Sequence, residues 1–257
     1  MQHEDQEAIA DRGINHAVAE RHANVRARVD AAARRSGRAT EDITLLGASK
    51  VQTPEVICAA LRAGVSCLGE NYVQEASQKQ PAISALLAEA EPDVTAPRWH
   101  MIGALQSNKA KLAVSLFDVI ETIDRPSLAI AVDKRARAIE KPIRGFVQVN
   151  LSGETQKAGT EESSLAQLLE ACDALEYLTI TGLMTIPAPV SDPGQNRPVF
   201  AQLRDLRDEL RTAPGGAALR DLSMGMSKDF EIAIEEGATV VRVGSDLFGP
   251  RPPKPQT

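Results

Sequence analysis

The sequence is poor in cysteine and in aromatic residues, and each shortage excludes a class of protein. Its three cysteines, Cys58, Cys67 and Cys172, are too few and too scattered for a disulfide framework, so we expect small buried side chains. No pair of cysteine and histidine residues has metal-ligand spacing, and no metal site is predicted. Aromatic residues make up 3% of the chain, which argues against the stacking platforms that bind single-stranded nucleic acid.

Charge and hydropathy exclude two further classes. The formal net charge is -6, whereas a nucleic-acid-binding domain normally presents a basic face. The chain lacks an apolar run of about 18 residues, so no membrane span is expected. Its first residues are charged and do not form the apolar core of a signal peptide. We therefore expect a cytoplasmic protein without nucleic-acid or membrane partners.

What the sequence does contain is a regular alternation of short apolar runs and amphipathic stretches. The apolar runs predict strands at 43–49, 67–69, 99–102, 119–122, 145–150, 179–184, 222–224 and 239–243. The amphipathic stretches predict helices at 6–36, 53–63, 72–80, 107–116, 126–139, 160–174, 199–212 and 228–236. Strict alternation implies a parallel sheet built by right-handed crossovers.

A single (β/α)8 barrel, the TIM barrel, is the simplest closed arrangement of these elements, and such barrels typically take about 250 residues. A doubly wound open sheet is the alternative, but it would usually carry a GxGxxG motif after its first strand, where this chain has GASK at 47–50. The predicted organisation is an N-terminal helical extension at 1–38, a barrel at 39–250 and a disordered proline-rich tail at 251–257. Loops at 89–98 and 187–198 are predicted to be exposed.

Polar residues gather where the predicted strands end, which is where barrels place their chemistry. Lys50 ends the first strand, and a desolvated lysine amine is a candidate for imine formation. Asn71 and His100 follow at the ends of the second and third strands. Each has a plainer interpretation: a solvated loop lysine, a helix cap and a core histidine bonded to backbone, respectively.

The last two strands predict a phosphate site, because barrels often bind phosphate in the loops after strands seven and eight. Strand seven ends at Ser223, Met224 and Gly225, and strand eight is followed by Gly244 and Ser245. Glycine lets the backbone approach a ligand, and serine adds a hydroxyl, although glycines at strand ends are also common as simple turns. An amine together with a phosphate site indicates a phosphorylated aldehyde as ligand.

Seven segments carry a resemblance to a known family, in the family's order. They are TLLGASK at 44–50, LGENYVQE at 68–75, WHMIGALQSNK at 99–109, VQVNLSG at 147–153, GLMTIP at 182–187, LSMGMSKDF at 222–230 and VRVGSDLFG at 241–249. They resemble the pyridoxal phosphate homeostasis proteins, the YggS/PROSC family, whose barrel is similar to the N-terminal domain of alanine racemase. The resemblance implies a monomer in vitamin B6 and amino-acid homeostasis that holds pyridoxal 5′-phosphate (PLP) as a Schiff base.

The resemblance also implies roles for individual residues. Lys50 corresponds to the Schiff-base lysine and Arg242 to the arginine that faces the pyridine nitrogen. The phosphate-binding positions correspond to Ser223, Gly244 and Ser245, and Asn71 and His100 correspond to residues near the cofactor. The chain differs at 51–54 (VQTP), where a second basic residue often follows the lysine, and at 156–159 (QKAG), where Lys-Ser-Gly is usual.

The sequence favours a PLP carrier or regulator over an enzyme. Guanidinium has only donors, so Arg242 would pair with an unprotonated pyridine nitrogen and weaken the ring as an electron sink. A racemase also needs a second acid/base, and neither Tyr72 nor Tyr177 is predicted to supply it. A low-activity PLP-dependent racemase and a cofactor-free Schiff-base aldolase are the alternatives, and PLP-dependent apo-enzymes are the expected partners.

Overall fold

The computed structural model describes residues 2–90, 94–152 and 158–250. Its short apolar runs form eight strands: β1 (Thr44–Ala48), β2 (Cys67–Glu70), β3 (Arg98–Met101), β4 (Val119–Ile123), β5 (Ile143–Gln148), β6 (Leu178–Met184), β7 (Asp221–Met226) and β8 (Val240–Val243). Each strand pairs in parallel with the next, and β8 pairs with β1 to close a barrel. The closure confirms the predicted TIM barrel and excludes the open sheet.

The helices lie between the strands as the alternation predicts. They are α1 (Gln2–Arg35), α2 (Pro54–Arg62), α3 (Val73–Ala90), α4 (Ala110–Leu116), α5 (Pro126–Arg137), α6 (Glu162–Asp173), α7 (Arg197–Leu210), α8 (Phe230–Glu235) and α9 (Ser245–Phe248). The prediction ended the third helix at Gln80, but α3 continues through Pro81. Ile83 and Leu87 are buried in its later turns, and their burial offsets the hydrogen bond that proline cannot make.

Helix α1 packs against α2, α8 and α9, and its valines Val18, Val25 and Val29 are buried in the main core. Among the described residues, β8 is followed by the single turn of α9, and α1 takes the place of an eighth outer helix. Arg28 ties it to the barrel, with bonds of 2.9 Å to Glu231 and 2.6 Å to Asp246. The division into an extension at 1–38 and a barrel at 39–250 stays a prediction.

The barrel interior is divided between an apolar part and a polar part. Its apolar part is a small cluster separate from the main core: Leu46, Cys67, Ile102, Val119, Phe146, Met184 and Val240. Side chains alternate along a strand, so residues two positions from these also face inward. Glu121 and Arg242 each follow an interior valine by two residues, which brings a carboxylate and a guanidinium inside the barrel near its carboxyl end.

The remaining sequence predictions concern cysteines, membranes, metals and the terminal segments. Cys58, Cys67 and Cys172 are buried, as predicted. Within the described part of the chain, no helix is both long and apolar enough to cross a membrane. Across those same residues, no group of three or more metal-ligating side chains is placed to hold an ion. Some predictions fall outside the described residues: the tail at 251–257, Gly153, residues 156–157, and residues 91–93 of the predicted 89–98 loop.

Candidate functional site

A cavity of about 500 Å³ lies at the carboxyl ends of β1, β2, β6, β7 and β8. The strand ends and the β7–α8 loop supply most of its polar wall, which comprises Lys50, Gln52, Asn71, Asn196, Ser227, Lys228, Asp229, Arg242, Gly244 and Ser245. The segment after β6 supplies most of its apolar wall, which includes Ala48, Ile102, Ile186, Pro187, Ala188, Pro189, Val190, Pro193 and Met226. One half of the cavity can therefore hold charged groups while the other excludes water.

The structure brings together a part of the predicted site. Lys50, Asn71, Arg242, Gly244 and Ser245 line this cavity. The side chains of His100, Ser223 and Met224 are buried, and Gly225 is a buried residue near the end of β7. These four residues do not line the cavity, so their contact with a ligand stays a prediction.

Met224 and Gly225 have structural reasons for their positions. Ser223 faces the barrel interior, so alternation turns Met224 outward into the core beneath the helices. Gly225 has φ +87°, and a Cβ there would lie 2.5 Å from Cβ of Ala233 and 2.9 Å from Cα of Phe230. Glycine is needed at this position because α8 approaches the strand end closely.

His100 and Ser223 belong to a buried chain of polar groups, here called the interior cluster: His100, Glu121, Ser223 and Arg242. His100 Nδ1 lies 2.6 Å from Glu121 Oε1, and the Ser223 hydroxyl donates to Glu121 Oε2 at 2.6 Å. Arg242 donates through Nη1 to Ser223 Oγ at 2.6 Å and through Nη2 to the Thr185 carbonyl at 2.8 Å. The cluster thus fixes the guanidinium that reaches the cavity wall.

The interior cluster is positively charged at neutral pH. Burial disfavours the imidazolium, but Cys67 and Glu121 outweigh burial and raise the pKa of His100 to about 9. Burial likewise opposes ionisation of Glu121, but His100 and Arg242 hold the pKa of its carboxyl below the usual value. Burial lowers the pKa of Arg242, although a guanidinium keeps its proton in proteins. Arg242, the member of the cluster that lines the cavity, therefore presents a fixed positive charge there, which favours an anionic ligand.

Asp229 joins the loops that follow β6 and β7. Its Oδ2 accepts from Asn196 Nδ2 at 2.7 Å, and its Oδ1 accepts from the Met226 amide at 2.7 Å. The segment 187–198 is largely exposed, as predicted, but Pro187 and Asn196 within it are buried and line the cavity. For Asn196 the cause is the tertiary contact with Asp229, which local composition does not reveal.

Gly244 leaves room for a ligand beside the backbone. A Cβ at this position would meet only Ala48, at ordinary distances of 3.5 and 3.7 Å. The Gly244 amide donates to the Ser227 hydroxyl at 3.3 Å, and Ser245 beside it is exposed. Two hydroxyls and a lysine, Lys228, therefore surround an open stretch of backbone on the cavity wall.

Comparison with known proteins agrees with this geometry. Residues 47–252 match the family profile of the alanine racemase N-terminal domain. A pyridoxal phosphate homeostasis protein of Aquifex aeolicus is 43% identical over 232 residues, covering 90% of this chain and 97% of that protein. One of Escherichia coli K12 is 39% identical over 234 residues, 91% of this chain and 97% of the other. This chain belongs to the pyridoxal phosphate homeostasis protein family.

Solved structures extend the family relationship to three dimensions. The PipY protein of Synechococcus elongatus PCC7942, in a structure with PLP bound, is 35% identical with a TM-score of 0.76 and covers 90% of this chain and 100% of its own. Alanine racemase of Corynebacterium glutamicum, at 18% identity and a TM-score of 0.64, covers 95% of this chain and 64% of its own and shares the fold. The resemblance drawn from seven sequence segments is confirmed.

Sequence reasoning missed two groups that shape the site. Glu121 was hidden in an apolar run, where a lone carboxylate at an inward-facing position was the available signal. Asp229 and Lys228 were interpreted as the start of a helix, and nothing in their spacing relates them to the segment after β6. Both omissions concern contacts between segments that are distant in the sequence.

Proposed function

We propose that this chain holds PLP in its cavity as a Schiff base on Lys50 and acts in intracellular PLP and amino-acid homeostasis as a carrier or regulator. The observation that carries the proposal is the convergence of Lys50, Arg242, Gly244 and Ser245 on one cavity wall. Support also comes from PipY, a relative 35% identical to this chain whose structure contains PLP. PLP would supply an aldehyde for the lysine amine, a pyridine nitrogen and a phosphate.

The groups on the cavity wall fit these three features of PLP. The hydroxyls of Ser227 and Ser245 offer donors for a phosphate, and the lack of a side chain at Gly244 leaves room for it to approach. Lys228 and the positive interior cluster favour its negative charge. Lys50 contributes the amine, and Asn71 lies on the same wall as a further polar contact.

Arg242 recognises the ligand through a guanidinium whose position is already fixed. Nη1 and Nη2 are held by Ser223 and the Thr185 carbonyl. A guanidinium offers only donors, so it favours a ring nitrogen that carries no proton. Such a ring is a weaker electron sink than one paired with an aspartate, which suits retention of the cofactor more than turnover.

The direct test is absorbance spectroscopy of the purified protein with added PLP. We expect a Schiff-base absorbance band that Lys50→Ala abolishes. Lys228→Ala is the matched control, because it removes the other lysine of the cavity wall, and it is expected to weaken phosphate binding but keep the band. Borohydride reduction followed by peptide mass spectrometry should locate the PLP adduct on Lys50.

Failure of the wild-type protein to form the band, or formation of the band in Lys50→Ala, would contradict the proposal. An adduct on Lys228 instead of Lys50 would do the same. The cofactor-free aldolase alternative requires that Lys50 react with a phosphorylated sugar without PLP, and the same reduction experiment with the sugar alone detects it.

We further propose that the chain is not an amino-acid racemase. Racemisation needs a proton donor on the substrate face opposite the lysine. Tyr72 is 64% exposed and outside the cavity wall, and Tyr177 precedes β6 at the far end of the barrel, with Arg137 over its ring. We expect no PLP-dependent α-proton exchange of alanine by NMR; turnover abolished in Lys50→Ala would show a low-activity racemase.

The carrier role, the partners and the assembly state have separate tests. PLP loaded on the protein should transfer to a PLP-dependent apo-enzyme, and retention without transfer would favour a sensor. We propose a cytoplasmic monomer, which sedimentation with and without PLP can test.

A further inference from the structure

The backbone on both sides of Lys50 is held by one group of polar and charged residues, here called the rim cluster. Its members are Ser49, Glu70, Glu75 and Lys79. Lys79 is buried although it lies on a helix, and it donates to three oxygens at once. These are the Ser49 carbonyl at 2.7 Å, Glu70 Oε1 at 3.0 Å and Glu75 Oε1 at 2.6 Å. Its ammonium therefore grips the peptide that immediately precedes Lys50.

Glu75 grips the peptide that follows. Its Oε1 accepts from the Val51 amide at 2.6 Å, as well as from Lys79. The i, i+4 spacing of Glu75 and Lys79 on α3 is a common surface pair, but here the side chain of Lys79 is only 10% exposed and that of Glu75 only 22% exposed. The pair is turned toward the end of β1 and not toward solvent.

The hydrogen bond to Glu75 maintains an unusual backbone conformation at Val51. Its φ is +60°, the left-handed region that β-branched residues avoid, and its side chain is 48% exposed, so packing does not hold it there. Two hydrogen bonds hold it instead: its amide donates to Glu75, and the Gln52 amide donates to the Ser49 carbonyl at 3.1 Å to close the turn. Strained backbone next to a functional side chain persists only where the surroundings impose it.

Glu70 links Ser49 to Lys79 within the rim cluster. Its Oε1 accepts from the Ser49 hydroxyl at 2.7 Å and from Lys79. The Ser49 amide donates to the Gly69 carbonyl at 3.0 Å, which continues the pairing of β1 with β2. The last residue before Lys50 is thus fixed at its amide, its hydroxyl and its carbonyl.

We propose that Glu75 and Lys79 are positioning residues that aim the amine of Lys50 at the aldehyde of its ligand, because they hold the peptides on either side of it. The inference rests on the proposed function, because it concerns the same lysine. It goes beyond that function in assigning the covalent step, separately from phosphate and ring recognition, to a pair of residues outside the cavity wall.

The test compares PLP with pyridoxine 5′-phosphate, which has the same ring and phosphate but no aldehyde. In Glu75→Gln and in Lys79→Met, the affinity for PLP and the rate of Schiff-base formation should fall by about tenfold. The affinity for pyridoxine 5′-phosphate should stay within about twofold of wild type, because phosphate and ring contacts lie elsewhere. Glu176→Gln in the exposed pair with Arg137 is the matched control and should change neither affinity.

The outcomes separate this inference from the proposed function. Equal losses for both ligands would mean that the cavity has collapsed and would overturn the positioning role. Unchanged PLP binding in both variants would overturn it as well. A wild-type protein that binds both ligands equally, without the Schiff-base band, would instead refute the proposed function at its source.

Discussion

The interior cluster and the rim cluster are both networks of opposite charges, but the first positions a side chain and the second positions backbone. The interior cluster ends on a side chain, since Glu121 fixes Ser223 and Ser223 fixes the guanidinium of Arg242. The rim cluster ends on backbone, since Glu75 and Lys79 hold the peptides on either side of Lys50. The residues of the interior cluster lie on rigid strands, whereas the rim cluster stabilises a strained turn at the end of a strand. On the proposed function, recognition of the ring and formation of the covalent bond should therefore be separable.

The largest expected effect comes from removing the charge at the centre of the interior cluster. Both oxygens of Glu121 are engaged, one by His100 and one by Ser223, and the carboxylate is fully buried. Glu121→Gln should lower the free energy of unfolding by about 3–5 kcal/mol, because two buried cations lose their counter-ion. Chemical denaturation measures the change.

Glu176→Gln is the control for this prediction, since its pair with Arg137 is exposed and should contribute less than about 1 kcal/mol. A loss in Glu121→Gln no larger than in this control would mean that the interior cluster is not a charged network. Pyridoxine 5′-phosphate affinity should also fall in Glu121→Gln, because Arg242 loses its support.

The second effect is a pH dependence that belongs to the interior cluster. The pKa of His100 is raised to about 9 in the folded protein. Its ordinary value is about 6.5, so its stabilisation is fully present below pH 6.5 and is lost as pH rises through 9. Between these values the free energy of unfolding should fall by up to about 3 kcal/mol relative to His100→Asn.

Two controls isolate this effect. Denaturation of Cys67→Ala over the same pH range separates the contribution of the neighbouring sulfur from that of Glu121. Parallel pH profiles of wild type and His100→Asn would show that the imidazole is not charged in the folded protein.

The same substitution in the rim cluster should have a smaller effect. Glu70 uses one oxygen, whereas its buried Oε2 has no hydrogen-bond partner among the described residues. Burial raises the pKa of its carboxyl, so ionised Glu70 already bears a cost that an amide removes. Glu70→Gln should therefore lower the free energy of unfolding by about 1 kcal/mol. A loss equal to that of Glu121→Gln would erase the distinction between the two clusters.

The sequence predicts the barrel well because its signals are local. Each strand is an apolar run, and the alternation with helices leaves few topologies. Lys50 and Gly244 could be placed on the cavity wall because both follow strands. The role of Lys79 could not be predicted, because its spacing from Glu75 is typical of any surface helix. The register of β1 with β2 places Ser49 beside Glu70, and Lys79 bonds to both of these residues.

The sequence also did not show how far below the barrel rim each polar side chain lies. His100 and Ser223 were expected at the rim, but both point inward beneath the cavity and bond to Glu121. The pairing of β4 with β5 also shifts register between Ile120 and Ile123, so the height of β4 residues relative to those of its neighbour cannot be counted from the sequence.

The smallest effect sharpens the comparison most, since it concerns strain alone. Val51 and Glu140 are the described residues other than glycine with positive φ, at +60° and +52°. Glycine adopts this region without the cost that a Cβ carries, so Val51→Gly and Glu140→Gly should each raise the free energy of unfolding by up to about 1 kcal/mol. Their effects on PLP should differ. Glu140 follows α5 away from the cavity wall, and its substitution should leave Schiff-base formation unchanged.

Val51→Gly should slow Schiff-base formation by about twofold to threefold while the protein becomes more stable, because glycine also admits other backbone conformations and so directs Lys50 less firmly. Stopped-flow absorbance with PLP, beside thermal unfolding of both variants, measures the two quantities. Opposite changes in rate and stability at Val51, with a change in stability alone at Glu140, would show that the strain serves the lysine. Equal rates in both variants would mean that the left-handed turn is a consequence of chain path and contributes nothing to the chemistry of Lys50.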